Sequence, residues 1–143
     1  MTLKGGENMS KYRPMPIKSK YYLPKEDYLT AIHYALRYPM MLAELDDARD
    51  TSTAIRYDKD KVQTSPSDDM IMNAAVRASE LSEKVKLIED IISVCSNGLD
   101  SYLKWGVCYG LTFDQLEAKG MPLGRTAYYE MRRKFYFILS RKI

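Results

Sequence analysis

A regular apolar repeat in the middle of the chain constrains its fold more than any other feature. Apolar and small side chains recur at alternating spacings of three and four residues, at Ile71, Ala74, Ala78, Leu81, Val85, Ile88, Ile92 and Cys95. This alternation is the a/d seam of a helix that packs along a second helix. The repeat predicts one long helix over about 67–96. Its partner is either an earlier helix of the same chain or the seam of a second copy.

Start and stop signals flank this long helix. Ser65-Pro66-Ser67-Asp68 combines a capping serine, a proline suited to the first helical position and a capping box completed by Asp68. Asn97-Gly98 supplies residues that tolerate the left-handed conformation at a helix end. The sequence therefore predicts a helix that begins near 67 and ends just before Asn97.

Two helices are predicted before the long one. Pro24 and the acidic residues after it favour a helix over about 25–37, with Leu29, Ile32 and Leu36 as its apolar stripe. Pro39 opens the next helix, which should fade after Arg49 because 50–64 is polar and lacks a stripe. We expect 21–97 to form a helical hairpin and oligomerisation region.

The first twenty residues contain glycines and prolines but no apolar period, and we expect 1–20 to be disordered. Lys4-Gly5-Gly6-Glu7-Asn8 stands just before Met9, and its codons can spell a purine-rich ribosome-binding site. We hypothesise that translation begins at Met9 and that 1–8 are not native. In that case the gene comes from a bacterium or its phage.

Three shorter helices are predicted over 98–143. The first ends near Gly110, and Thr112-Phe113-Asp114-Gln115 is a capping box that opens the second, with Phe113 and Leu116 facing inward. Gly120 ends the second helix, and a turn leads to a third over about 125–140. Its predicted inward set is Ala127, Met131, Phe135 and Ile138. A short capped helix, a glycine turn and a longer helix are the layout of a helix-turn-helix. The predicted fold class is all-α, with this three-helix domain following the N-terminal helices and the long heptad helix.

Charge is concentrated at the two ends of the chain. The last part, 119–143, carries seven basic residues against Glu130, and the middle of the chain is acidic on balance. A basic terminus on an acidic body favours binding to double-stranded DNA, although a merely solvated surface has the same charge. The predicted contact residues are Arg125, Thr126, Tyr129, Arg132 and Arg133 on the third helix, with Gln115 and Lys119 on the helix before it.

The C-terminal layout resembles the region-four domain of bacterial sigma factors. Residues that match its roles are Thr112, Gln115, Leu116, Gly120, Thr126, Ala127 and Met131. One extra residue, Pro122, lengthens the turn. Over 25–141 the order of elements is similar to the RinA/ArpU group of phage late-gene transcriptional regulators. It includes Tyr38-Pro39 before Leu42-Ala43-Glu44-Leu45, the polar loop, Ile88-Glu89-Asp90-Ile91-Ile92 and Arg132-Arg133-Lys134-Phe135. This resemblance implies a small oligomeric activator that binds a promoter or operator region.

Two other functions fit the same pattern. A phage terminase small subunit also joins a helix-turn-helix to oligomerising helices. A helical protein-interaction module, for example a factor that binds RNA polymerase, needs no DNA contact. We expect no enzyme, no cofactor and no metal site, because phosphate-loop, nucleophile-elbow and zinc-protease motifs are absent from the sequence. Cys95, Cys108 and His33 do not have the spacing of a zinc set. Two reduced, partly buried thiols and no apolar run long enough to span a membrane favour a cytoplasmic protein without a membrane segment.

Overall fold

The computed structural model of the protein describes residues 17–58 and 68–143, and these contain six helices and no strand. The helices are α1 (Lys25–Leu36), α2 (Tyr38–Asp58), α3 (Asp68–Ser96), α4 (Asp100–Cys108), α5 (Phe113–Ala118) and α6 (Arg125–Ser140). The all-α prediction is confirmed. Three predictions concern residues outside the described ranges. They are the disorder of 1–20 as far as residue 16, the start of translation at Met9 and the capping role of Ser65.

The chain divides into two compact units. We call residues 38–89 the hairpin unit, and residues 17–37 together with 90–143 the terminal unit. We had predicted a boundary between 97 and 98, with α1 on the N-terminal side. The structure instead packs α1 on α4 and α6. The reason is the buried face of α1, which consists of Tyr28, Ala31, Ile32 and Ala35, and this face fits the aromatic side of α6.

In the hairpin unit, α2 and α3 run antiparallel. The Tyr38 hydroxyl donates a hydrogen bond to Glu89, and Arg77 pairs with Glu44 at 3.1 Å. Met41, Leu45 and Ala48 are buried on α2, and Leu81, Val85 and Ile88 are buried on α3. The predicted seam is therefore covered within the chain at these positions, whereas Ile71, Ala74 and Ala78 are partly exposed. In the terminal unit, Ile92 and Cys95 continue the buried seam.

The prediction for the end of α2 was wrong. We expected the helix to fade after Arg49, but it continues to Asp58. The segment from 50 to 58 has no glycine or proline, so nothing in its backbone stops a helix that has already begun. The absence of an apolar stripe is a weaker signal than the absence of a helix breaker.

Most other helix ends are where the sequence places them. Asn97 and Gly98 have φ values of +52° and +91°, which confirms the left-handed stop after α3. The Thr112 capping box is complete: Thr112 Oγ1 accepts from the Gln115 amide at 3.2 Å, and Gln115 Oε1 accepts from the Thr112 amide at 2.8 Å. Cys95 and Cys108 are both free and buried.

We expect Thr112→Ala to lower the free energy of unfolding of the protein by about 1 kcal/mol, because α5 has only six residues and depends on its cap. Thr112→Ser keeps the capping hydroxyl and is the matched control. Urea unfolding followed by circular dichroism measures both variants. Equal losses for the alanine and serine variants would contradict a capping role.

The inward face of α6 differs from the prediction. Met131 and Phe135 are buried as expected, but Ala127 is exposed and Ile138 is partly exposed. The buried residues of α6 are Tyr128, Met131, Phe135, Tyr136 and Leu139. Tyr128 replaces Ala127 because Gly106 on α4 leaves space for the phenol ring; a Cβ built on Gly106 would lie 1.9 Å from the Tyr128 hydroxyl oxygen.

Candidate nucleic-acid interface

The two helices of the predicted helix-turn-helix are joined by a tight turn. α5 is capped by Thr112 and buries Phe113 and Leu116, as the sequence predicts. Gly120 then adopts a φ of +99°, which a residue with a Cβ rarely takes. The Met121 amide donates a hydrogen bond to the Leu116 carbonyl at 3.2 Å. This turn fixes the point at which α6 begins.

The first turn of α6 lies open to solvent. Gly124, Arg125, Thr126 and Ala127 are all exposed. Gly124 is the N-cap and brings no side chain to the unpaired amides of this turn, and the turn contains no acidic residue. A helix start of this kind carries partial positive charge and free N–H donors, and both attract an anion. The exposed turn is thus chemically suited to contact a phosphate or a base edge.

Two further predicted contact residues lie on α5 and at its C-cap. Gln115 and Lys119 are exposed. The Lys119 ammonium lies 5.0 Å from the centre of the Trp105 ring, and the Tyr102 hydroxyl donates to the Lys119 carbonyl at 3.4 Å. These contacts hold the end of α5 in place while its lysine remains solvent-accessible.

Arg125 has partners within the protein, but they do not bury it. Its guanidinium pairs with Asp114 at 3.1 Å and lies 4.7 Å from the centre of the Phe113 ring. The Arg125 and Asp114 side chains are 54% and 80% exposed. Ion pairs this exposed contribute little, about 0–1 kcal/mol, so Arg125 can exchange Asp114 for another anion.

Arg132 has a different position from the one predicted. We had placed it on the outer face of α6, but its guanidinium lies 5.1 Å and 5.6 Å from the ring centres of Tyr129 and Tyr136. It also donates to the Tyr28 hydroxyl of α1 at 3.5 Å. Because the inward face of α6 contains Tyr128 and not Ala127, the side chain of Arg132 is directed toward α1.

The other two predicted contacts are partly buried. Tyr129 stacks edge-on against Tyr128, with ring centres 5.2 Å apart, and lies 6.4 Å from Phe113. Arg133 pairs with Glu130 at 3.3 Å on the same helix. The structure therefore leaves Gln115, Lys119, Arg125 and Thr126 exposed, whereas Tyr129, Arg132 and Arg133 are partly buried.

The importance of α1 was missed by sequence reasoning. The predicted stripe of Leu29, Ile32 and Leu36 overlaps the buried face only at Ile32, since Leu29 and Leu36 are partly exposed. Tyr28 makes an edge contact with Tyr136, with ring centres 5.5 Å apart. The spacing of Tyr28, Ala31, Ile32 and Ala35 is itself helical, and this was the available signal for the true face.

The hydroxyl of Tyr128 is buried without a hydrogen-bond partner among the described residues. Burial raises the pKa of Tyr128 to about 12, with the Arg132 guanidinium acting in the opposite direction. Burial also raises the pKa of Tyr136. Both phenols are therefore neutral in the folded protein well above the pH at which an unfolded tyrosine ionises.

We expect the protein to lose stability in alkali between pH 10 and about 12. Because the folded pKa of Tyr128 is above its unfolded value near 10, the neutral phenol stabilises the fold fully below pH 10 and progressively less above it. Urea unfolding at several pH values measures this dependence. Tyr128→Phe should reduce the alkaline loss; an unchanged pH dependence in that variant would contradict the assignment.

No protein-family model, no curated protein and no solved structure matches this chain. Among the described residues, no helix is long and apolar enough to cross a membrane. In the same part of the chain, no group of three histidine, cysteine or acidic residues could hold a metal ion. The function is therefore inferred from the residues of this chain alone.

Proposed function

We propose that this protein binds double-stranded DNA through α5, the Gly120 turn and the first turn of α6, and that it regulates transcription. The observation that carries the proposal is the exposed start of α6, where Arg125 and Thr126 are open to solvent, as are Gln115 and Lys119 before the turn. In helix-turn-helix proteins, residues at the start of the second helix contact base edges, and the helix before it crosses the phosphate backbone.

Each of the four residues has a role that suits its chemistry. Arg125 can donate two hydrogen bonds to a guanine edge or to a phosphate, and Thr126 can contact a base or a thymine methyl. Lys119 and Gln115 contact phosphates, which set the orientation but carry no sequence information. Arg133 is a weaker candidate for a phosphate contact, and Arg132 is not one of the proposed contacts because it faces the tyrosines of its own unit.

The specific role we propose is activation of phage late genes, from the resemblance of the helix order to regulators of that kind. RNA polymerase and a second copy of the chain are the proposed protein partners, in the cytoplasm of a bacterial host. A promoter-reporter assay tests the activator role directly. Assembly into a large ring that binds a packaging ATPase, with no effect on the reporter, would favour the terminase alternative.

Binding of the full-length protein to labelled duplexes, measured by fluorescence anisotropy at several salt concentrations, tests the DNA role. We expect log K to fall linearly with log salt, with a slope of about −0.9 for each phosphate contacted. Binding that does not depend on salt, or no binding to any duplex in a random-sequence selection, would contradict the proposal and favour a protein-interaction module.

We expect Asp114→Asn to strengthen binding to DNA by about fivefold at low salt. The Asp114 carboxylate is exposed beside Arg125 and repels the phosphates that approach the same surface, and removing its charge is worth about 1 kcal/mol. The anisotropy assay measures the change. The control is Glu83→Gln, which removes the charge of an exposed carboxylate on α3 and should leave the affinity unchanged. Asp90 is less suitable as a control because its side chain has contacts of its own. Weaker binding by Asp114→Asn would contradict this placement of the interface.

A further inference from the structure

The Arg132 side chain is partly buried, yet it makes no ion pair with a carboxylate in the described part of the chain. It donates to the Tyr28 hydroxyl at the long distance of 3.5 Å. A guanidinium carries five N–H donors, and a cation taken out of water is normally compensated by a carboxylate or a bound anion. Arg132 therefore has donor capacity that its neighbours do not use.

A cavity of about 290 Å³ lies beside this guanidinium, within the terminal unit. Its wall includes Arg125, Arg132, Tyr129 and Tyr136 of α6, which lie along one face of the helix. The rest of the wall consists of Phe113 and Asp114 of α5, residues 110–112, Gly106 of α4 and the end of α1. The volume is near the lower end of the range for small-molecule pockets.

We propose that this cavity binds a small aromatic carboxylate, with the carboxylate on Arg132 and the ring against the aromatic wall. The inference does not depend on DNA binding.

The charges and rings of the cavity determine this class of ligand. Its two arginines face one carboxylate, Asp114, which is already paired with Arg125. One positive charge is left over, which suits a monoanion. A planar guanidinium and a planar carboxylate form two parallel hydrogen bonds. Phe113, Tyr129 and Tyr136 offer ring faces and edges to a flat apolar group.

A titration of the full-length protein with sodium benzoate, followed by two-dimensional ¹H–¹⁵N NMR without DNA, tests the site. We expect saturable shifts of the amides of Gly106, Gly110 and Leu111 and of the Arg132 side chain, with a Kd in the millimolar range for so small a probe. Benzamide has the same ring without the charge, and inorganic phosphate has charge without the ring. Both should bind at least tenfold more weakly at the same ionic strength.

Variants separate Arg132 from its neighbours. Arg132→Met should weaken benzoate binding about tenfold, and Arg133→Met, which alters the next residue of α6, should leave it unchanged. Equal affinity for benzoate and benzamide, equal affinity for phosphate, or full benzoate binding by a folded Arg132→Met variant would overturn the proposal. If Arg132→Met does not fold, the three probes are compared on the native protein alone. Absence of saturable shifts at the cavity in that comparison overturns the proposal.

Discussion

Gly106→Ala should lower the free energy of unfolding of the terminal unit by about 3 kcal/mol. The new Cβ would lie 1.9 Å from the hydroxyl oxygen of Tyr128 and 3.1 Å from its Cζ. The Tyr128 side chain is fully buried, so its ring must move against packed neighbours to make room. Overpacking typically costs 1–3 kcal/mol and occasionally more; with a strain of about 4 kcal/mol for so close a Cβ, the better helix propensity of alanine offsets about 1 kcal/mol and leaves about 3 kcal/mol. Urea unfolding monitored by circular dichroism measures the loss.

A double-mutant cycle identifies the hydroxyl as the cause. Tyr128→Phe alone should cost little, because it removes a hydroxyl with no hydrogen-bond partner in the described structure. Added to Gly106→Ala, it should restore more than about 1 kcal/mol. Gly124→Ala is the matched control, since nothing lies within 4 Å of its Cβ, and it should cost at most about 1 kcal/mol at this N-cap. Strict additivity of the two changes in the cycle would contradict the predicted clash.

The double variant Arg125→Ala/Lys119→Ala should bind DNA about 30-fold more weakly than the native protein. Two lost contacts of about 1 kcal/mol each account for the factor. If both side chains contact phosphate, the slope of log K against log salt should also fall in magnitude by about 1.8. Anisotropy titrations at four or more salt concentrations give both quantities.

The control for this variant is Lys84→Ala, which removes an exposed lysine of α3 in the hairpin unit. It lowers the net charge without altering the proposed interface, so affinity and salt slope should change little. Circular dichroism and thermal unfolding check that the double variant is folded, since Lys119 and Arg125 both lie over aromatic rings. Equal effects of Lys84→Ala and the double variant would mean that binding follows net charge and not this surface.

Local signals predicted the helices of this chain well. The Thr112 capping box, the Asn97-Gly98 stop and the heptad spacing of α3 are each written in a few consecutive residues, and all three are present in the structure. Caps and stops depend on hydrogen bonds and φ values of neighbouring residues, so the sequence contains all the information that they need. The end of α2 was missed because a polar segment without a breaker looks the same in a helix and in a loop.

Long-range packing could not be predicted in the same way. The aromatic and apolar residues of α6 are so numerous that two inward faces one residue apart both satisfy a helical period. The choice between Ala127 and Tyr128 depends on Gly106, about twenty residues earlier, which alone leaves room for the ring. The packing of α1 on α6 is a similar case, since periodicity shows that a helix has an apolar face but not which helix covers it.

The candidate site changed as a consequence of this packing. Four of the seven predicted contact residues are exposed, namely Gln115, Lys119, Arg125 and Thr126. Arg132 was predicted as a DNA contact because it lies in a run of basic residues. Such a run does not reveal which of its side chains faces inward. Arg132 contacts Tyr28, Tyr129 and Tyr136 and forms part of a cavity wall.

Amide shifts of the ¹⁵N-labelled protein on addition of a selected duplex test the central claim most directly. The account predicts that the largest shifts fall on Gln115, Lys119, Gly124, Arg125 and Thr126, and that residues 38–89 change little. Because the measurement locates contacts residue by residue, it does not depend on any variant being folded. Saturation with duplex without shifts at the start of α6 would contradict the proposed interface.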